Sequence, residues 1–256
     1  MRAEYVESAL LTSSGFRHAF FTRRGGVSEG PYASLSFSVA VGDDPERGRK
    51  NLELAGALLG VAGDRVYFLS QVHGSAAHVL SGGEPRERVV ELEGDALASR
   101  DPTLACGVRS ADCVPILAAD VETGAVVAIH AGWRGVVRGV VEAGIATLRG
   151  LGGECGTLVA AIGPHIREEV FEVGEDVARQ LERASPVSGV VDRSRAKPHV
   201  SLARIVRGKL VHAGLLPERI DDVGGCTASE PERFFSFRRG GRASGRHLSA
   251  IVARLP

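Results

Sequence analysis

The chain has 256 residues, of which 44% are hydrophobic, so it is long enough and apolar enough to bury a substantial core. Its 31 basic and 31 acidic residues cancel, which excludes a net field drawing the whole molecule to nucleic acid or an anionic membrane. Its apolar runs fall short of the roughly 20 residues that span a bilayer, and Glu4 and Glu7 interrupt the N-terminal stretch where a secretory signal would be apolar. We therefore predict a cytoplasmic protein with no nucleic-acid or membrane partner. No heptad or strong apolar helix face indicates an oligomeric state.

Hydrophobic periodicity predicts the following elements in chain order. Apolar residues spaced three and four apart predict helices, and short apolar runs bounded by glycine, proline or aspartate predict strands. The expected order is helix 49–59, strands 66–69, 104–108, 114–119 and 125–129, helix 136–148, strand 158–162, helices 175–183 and 202–213, and strands 220–223 and 247–252.

The order of these elements indicates the fold class. Strands and helices are interspersed without a strict βαβ rhythm, and residues 120–124 are expected to join two strands as a hairpin. We therefore predict an α+β fold with mixed β-sheets packed in layers and covered by helices. No internal repeat or low-complexity linker divides the chain, so residues 1–256 are predicted to form a single catalytic domain.

Three segments share one layout, in which an apolar strand runs into a tight polar turn. They contain the sequences SQVHG, RSADCVP and AIHAGWRG, and they carry His73, Cys113 and His130. Two imidazoles and one thiolate form a zinc-type ligand set that leaves a fourth position for water or substrate, as catalytic zinc sites do. Taken singly, each histidine could equally be a hydrogen-bonded surface or core residue, and the cysteine a small buried hydrophobe.

The same segments resemble the signature blocks of a known family. SQVHG, RSADCVPIL, AIHAGWRG, AIGPHI, FEVGEDV and FFSFRRGGRASGRHLSAIVAR, with the opening block FFTRRGGVSEGPYASLSF, are similar to the laccase domain proteins, once called multicopper polyphenol oxidases. The resemblance runs from about residue 20 to residue 254. It implies a zinc-dependent purine nucleoside phosphorylase, acting on adenosine, inosine or methylthioadenosine with inorganic phosphate, that also deaminates adenosine.

Carried over residue by residue, the family's zinc ligands fall on His73, Cys113 and His130. Zinc held by such ligands lowers the pKa of bound water toward about 7, which would provide a nucleophile for deamination. The opening block departs from the family at Ser36, where asparagine is usual, which weakens the expectation of a substrate contact there.

The number of histidines bears on the family's older name, multicopper polyphenol oxidase. A blue-copper centre together with a three-copper cluster needs on the order of ten histidines. The chain has eight. We therefore expect Cu²⁺, if it is used at all, to occupy the zinc site.

Neighbouring residues have more than one interpretation. Asp112 either orients a ligand or carries a proton, or it caps its turn. Arg134, at the start of a predicted helix, is the favoured contact for phosphate. Trp133 either stacks on a purine or packs in the core. The other candidate anion ligands are Arg238, Arg239 and Arg246, with surface salt bridges favoured for Arg238 and Arg246.

Two other functions fit the same residues. Cys113 could be the nucleophile of an amide or ester hydrolase acting on a cell-wall precursor, with His130 or His73 as its base. Alternatively, the three residues could belong to a structural zinc module with a nucleotide-sensing pocket. Bound metal and sensitivity to chelators distinguish these hypotheses.

Overall fold

The computed structural model describes residues 2–38, 40, 42–152 and 155–255. Within these ranges the strands are β1 (Tyr5–Val6), β2 (His18–Phe21), β3 (Val66–Tyr67), β4 (Ala77–Leu80), β5 (Ala96–Ser99), β6 (Ala105–Ser110), β7 (Val114–Asp120), β8 (Val126–Ala131), β9 (Leu158–Ile162), β10 (Val191–Asp192), β11 (His199–Val200), β12 (Ile220–Asp222) and β13 (His247–Val252). The helices are α1 (Ala9–Ser13), α2 (Pro45–Leu59), α3 (Arg86–Val89), α4 (Trp133–Val137), α5 (Val140–Gly150), α6 (Glu175–Ala184), α7 (Leu202–His212) and α8 (Phe237–Gly240).

Apart from β10 and β11, which pair with each other, the described strands form two mixed sheets. The first has the order β12-β9-β7-β8-β5-β4, and the second has the order β1-β2-β13-β6-β3. In the first sheet only the outer pairs β12–β9 and β5–β4 are parallel, and in the second only β3–β6 is parallel. β7 and β8 form the hairpin expected around residues 120–124. The predicted α+β fold with mixed sheets is confirmed.

Alternation along the strands assigns side chains to layers. In β7, Ile116 and Ala118 face a core covered by α5, α6 and α7, whereas Leu117 and Ala119 face the core between the two sheets. The outer face of the five-stranded sheet packs against α2 through a third core that includes Leu59. The order of layers is helices, six-stranded sheet, five-stranded sheet and helix.

Two helices differ from their predicted bounds for local reasons. α2 begins four residues earlier than expected because the Asp44 side chain accepts hydrogen bonds from the amides of Glu46 and Arg47, and Pro45 suits the first helical position. The predicted helix 136–148 is two helices, α4 and α5, because Gly139 adopts a φ of 86° that interrupts regular helix.

Several short strands are absent from the sequence-based prediction, namely β1, β2, β4, β5, β10 and β11. They have two to four residues, too few for an alternating pattern to stand out. In the described part of the chain, no helix combines the length and apolarity needed to cross a bilayer.

Candidate metal centre

His73, Cys113 and His130 converge at one end of the gap between the two sheets. Cys113 immediately precedes β7, His130 lies near the end of β8, and the pairing of these strands sets Pro115 opposite His130. His73 arrives from the loop that follows β3. One ligand atom from each of the three residues lies within 4.8 Å of the others. Hairpin register therefore places two of the donors, and a separate loop brings the third.

Asp95 positions two of these residues, although the sequence prediction did not include it. Its carboxylate is fully buried and accepts hydrogen bonds from the amides of Val72, His73 and Gly74 at 3.2, 3.1 and 2.6 Å. It also accepts from His130 Nδ1 at 2.8 Å. Since Nδ1 of His130 is engaged, Nε2 is the atom available to a metal, as in carboxylate–histidine–zinc arrangements.

The donors are spaced as a zinc ion requires. Two ligands at 2.3 and 2.1 Å from a tetrahedral zinc ion lie about 3.6 Å apart. Cys113 Sγ lies 3.8 Å from His73 Nε2. The His73 and His130 rings meet edge to face with centroids 4.9 Å apart. These three residues therefore fit a zinc ion, and the same thiolate and imidazole donors also suit copper.

Gly132 leaves space beside the donors. A Cβ atom at this position would lie 2.6 Å from His73 Cδ2 and 3.0 Å from Cys113 Sγ, closer than side chains pack. The glycine of the HAGWRG segment is therefore required by this close approach, since its φ of −73° is open to any residue.

The charges of the cluster favour a thiolate. Burial raises the pKa of Cys113, but the facing His130 and His73 outweigh burial and lower the pKa to about 6. Burial lowers the pKa of His130, but Cys113 and Asp95 overcome burial and raise it. Burial likewise raises the pKa of Asp95, and its hydrogen bonds to His130 and the loop amides reverse that shift. A thiolate is the form of cysteine that binds metal, so the cluster is preorganised for a cation.

Backbone strain is concentrated at the same place. Among the described residues other than glycine, positive φ occurs at His73, with 56°, and at Asp112, with 94°. The Asp112 carboxylate accepts hydrogen bonds from Thr227 Oγ1 at 2.7 Å, Ser236 Oγ at 3.1 Å and the Arg238 amide at 2.6 Å. Asp112 therefore ties the ADC turn to the C-terminal segments.

A cavity of about 790 Å³ opens onto the three donors. Its wall on the side of the five-stranded sheet, which we call the arginine wall, includes Ser38, Gln71, Arg109 and Arg246. The wall on the side of the helical layer, which we call the apolar wall, includes Trp133, Phe171, Val173, Val177 and Leu202, all part of the core beneath α5, α6 and α7 or packed against it.

The predicted anion ligands occupy different positions. Arg134 lines the cavity, is exposed, and stacks on Trp133 with its guanidinium carbon 4.5 Å from the ring centroid. Arg238 and Arg246 also line the cavity, but the predicted surface salt bridges are wrong, because in the described chain these guanidinium groups donate to backbone carbonyls instead. Arg239 donates to the carbonyls of residues 227, 228 and 234, outside the cavity lining.

Gln71 and Arg109 were missed by the sequence analysis. The Gln71 side-chain amide exchanges two hydrogen bonds with the Arg109 backbone, at 2.7 and 2.8 Å, and so extends β6 toward the loop that carries His73. The SQVHG segment offers one signal for Gln71, since an amide two residues before a candidate ligand can pair with backbone. Arg109 carries no comparable signal.

Known proteins are similar to this chain over most of its length. The model of the family described as multi-copper polyphenol oxidoreductase laccase matches residues 17–254. A purine nucleoside phosphorylase of Deinococcus radiodurans is 38% identical over 237 residues, which cover 91% of this chain and 88% of that protein. The adenosine deaminase RL5, from an unknown prokaryotic organism, is 34% identical over 92% of this chain and 94% of that protein.

Solved structures share the fold. YlmD from Geobacillus stearothermophilus has a TM-score of 0.89 at 26% identity, covering 96% of this chain and 94% of that one. Neisseria meningitidis protein NMB0706 has a TM-score of 0.83 at 31% identity, covering 99% of both chains. The chain therefore belongs to the multi-copper polyphenol oxidoreductase laccase family.

Proposed function

We propose that this protein is a zinc-dependent purine nucleoside phosphorylase that also deaminates adenosine. The observation that carries the proposal is the meeting of His73, Cys113 and His130 at a cavity with one cationic and one apolar wall. The names of the relatives, purine nucleoside phosphorylase and adenosine deaminase, support the same reactions. Zinc, bound by these three residues, would supply Lewis acidity that polarises substrate and activates water.

The walls suit the two parts of a nucleoside. A purine has flat, largely apolar faces, which the apolar wall would contact through Trp133 and Phe171. The ribose and phosphate would lie toward the arginine wall. Arg134, exposed at the cavity, would attract the incoming anion. Asp112 would hold Cys113 in place through its bonds to Thr227 and Ser236.

In phosphorolysis, a phosphate oxygen bonds to C1′ while the bond from C1′ to N9 breaks. The electron pair leaves with the purine, which takes up a proton and departs as the free base, giving ribose 1-phosphate. In deamination, the oxygen of water bonds to C6 of adenosine, and ammonia leaves. The two reactions use one cavity, but only the first needs phosphate.

The cysteine hydrolase hypothesis has one supporting observation, the lowered pKa of Cys113 beside two histidines. Cys113 together with one of these histidines also resembles an activated nucleophile and its base. Its substrate would be an amide or ester of a cell-wall precursor. A thiol hydrolase would keep its activity after chelation and lose it on alkylation with iodoacetamide.

The decisive experiment incubates metal-analysed protein with adenosine or inosine, with and without phosphate, and separates the products by chromatography. We expect about one zinc per chain. We also expect ribose 1-phosphate only with phosphate, together with adenine from adenosine and hypoxanthine from inosine. Without phosphate, adenosine should give inosine, and chelation should abolish both activities. Full activity in metal-free protein, or absence of all these products, would contradict the proposal.

The matched variants are Cys113→Ala and Cys106→Ala. Cys113→Ala should lose zinc and both activities. Cys106 is wholly buried in β6, and burial raises the pKa of its thiol, so Cys106→Ala should keep the zinc.

We further propose that residues 1–256 act as one catalytic domain in the cytoplasm, and that Cu²⁺ can enter the same site.

A further inference from the structure

Arg109 is a largely buried cation without a carboxylate partner. It lies in β6 and stacks on Phe68, with its guanidinium carbon 4.2 Å from the ring centroid. Its Nη2 donates to the Leu69 carbonyl at 3.3 Å, and its Nη1 reaches Ser38 Oγ at 3.5 Å. Its Nε is buried and has no hydrogen-bond partner. Among the described residues, no acidic side chain pairs with it. Leaving a buried charge unpaired is costly, which indicates that a missing anion belongs there.

The surroundings of Arg109 increase this cost. Burial, reinforced by the charges of Arg86 and Arg246, lowers the pKa of Arg109 to about 10, so it stays charged at neutral pH. Arg246 directs its Nη1 to the carbonyls of Ser244 and Gly245, at 2.5 and 3.0 Å, which leaves its other nitrogens available. Both Arg109 and Arg246 line the cavity.

The two acidic side chains in the cavity lining are occupied elsewhere. Asp112 accepts from Thr227, Ser236 and the Arg238 amide, and Glu172 pairs with Lys197 at 2.7 Å. The charges of Cys113 and Asp112 act on Arg246, whereas the charges that act on Arg109 are those of other arginines, so the uncompensated positive charge of the arginine wall lies at Arg109. Guanidinium groups bind phosphate through paired N–H donors, and several such groups around one cavity suit a doubly charged oxyanion.

We infer that Arg109 and Arg246 form the phosphate subsite of the cavity. The assignment of inorganic phosphate as a reactant rests on the proposed function, whereas the binding of a tetrahedral oxyanion does not. Arg134 has a different role in this scheme, because it is exposed and stacks on Trp133. It would attract the anion without holding it. A phosphate ester on a nucleotide has the same chemistry as free phosphate, so the test must separate the two sources.

The test compares Arg109→Met, Arg246→Met and Arg134→Met with wild type. The control is Arg149→Met, which removes an exposed charge from α5. The first measurement is thermal unfolding of the zinc-loaded protein in rising concentrations of inorganic phosphate or of adenosine 5′-monophosphate. The second is the KM for phosphate in phosphorolysis of inosine. Zinc content checks that each variant is folded. Arg109→Lys provides a second variant, which keeps the positive charge but lacks the paired N–H donors of the guanidinium group.

Phosphate should raise the unfolding temperature of wild type and of Arg149→Met by a few degrees, and this rise should be lost in Arg109→Met and Arg246→Met. The KM for phosphate should rise about tenfold or more in Arg109→Met, and less in Arg109→Lys and Arg134→Met. Stabilisation by the nucleotide but not by inorganic phosphate would overturn inorganic phosphate as the ligand.

The two proposals fail differently. An unchanged KM for phosphate and unchanged stabilisation in folded Arg109→Met would overturn the subsite and leave the nucleoside chemistry standing. Stabilisation by phosphate that depends on Arg109, in a wild-type protein that forms no ribose 1-phosphate, would uphold the oxyanion subsite and contradict the proposed function. Absence of any phosphate effect on wild type would overturn the subsite.

Discussion

The two walls of the cavity have opposite effects on the stability of the folded protein. Residues of the apolar wall such as Phe171 and Leu202 belong to the core beneath the helical layer, so the packing that stabilises the protein also shapes this wall. The arginine wall gathers like charges around Arg109, whose Nε has no partner. One wall is therefore complete in the protein alone, and the other lacks a counter-charge. The contrast teaches that core packing shapes one side of the cavity, whereas the other side keeps a buried charge without a counter-charge.

Filling the space beside the three donors should have the largest effect. In Gly132→Ala, the new Cβ would displace His73 and Cys113, so we expect loss of zinc and a fall in both activities of about 100-fold or more. Gly150→Ala is the control, because a Cβ at that position meets no atom within 4 Å. Zinc retained at full stoichiometry in Gly132→Ala would contradict the requirement for glycine beside the donors.

Loosening the donors without filling space should have a smaller effect. Asp95→Asn weakens the bond to His130 Nδ1 and the anchoring of the loop at residues 72–74, and we expect zinc affinity to fall about 10- to 100-fold. The measurement is competition with a zinc chelator. Asp64→Asn, at an exposed position, should match wild type. Equal affinity in both variants would mean that the loop is held without this carboxylate.

Acid should weaken the supports behind both walls. His165 lies just before Ile166, which lines the cavity, and His247 follows Arg246. Burial, with help from nearby arginines, lowers the pKa of His165 to about 4 and that of His247 to about 3.

Because these folded-state pKa values lie below the unfolded value of about 6.5, the unfolded chain binds more protons once the pH drops below that value. Each histidine should therefore remove about 2 kcal/mol of stability between about pH 7 and about pH 5. Urea denaturation across this range measures the loss. A His165→Gln variant should show a shallower pH dependence, and the same slope as wild type would exclude His165 as a cause.

Adding one hydroxyl to the apolar wall should have the smallest effect. Val177→Thr keeps the shape of the side chain but places a polar atom beside the proposed purine, so the KM for inosine should rise about threefold. The KM for phosphate should stay the same, since that ligand is proposed to lie at the other wall. Val187→Thr, at an exposed valine, is the matched control. A larger change in the KM for phosphate than in that for inosine would contradict the division of the cavity.

Local patterns carried the prediction of the fold and of the three donors. The seven predicted strands and the hairpin of β7 and β8 are confirmed, because their apolar runs are bounded by turn residues, although β3 and β12 are shorter than predicted. The structure brings His73, Cys113 and His130 together as the resemblance implied. The roles of Asp112 and Arg134 in catalysis stay predictions.

The rest of the site depends on long-range contacts, for which no local pattern of residues is a signal. Asp95 contacts residues 21 to 35 positions away, and no pattern near it distinguishes it from a turn aspartate. In the sequence, Arg109 resembles any arginine at the end of a strand. Its lack of an acidic partner among the described residues becomes visible only in the folded chain. The expected salt bridges of Arg238 and Arg246 are absent from the described residues, because each guanidinium group donates to nearby backbone carbonyls instead.

The strand β8 acts as the common reference from which all three donors are positioned. It carries His130 itself, its pairing with β7 places Cys113, and its pairing with β5 brings Asp95, and through Asp95 the loop of His73, alongside. A slip of one residue in β8 would misplace the whole set at once. The surrounding walls can therefore change their side chains, and with them the choice of substrate, while the spacing of the ion's ligands is preserved.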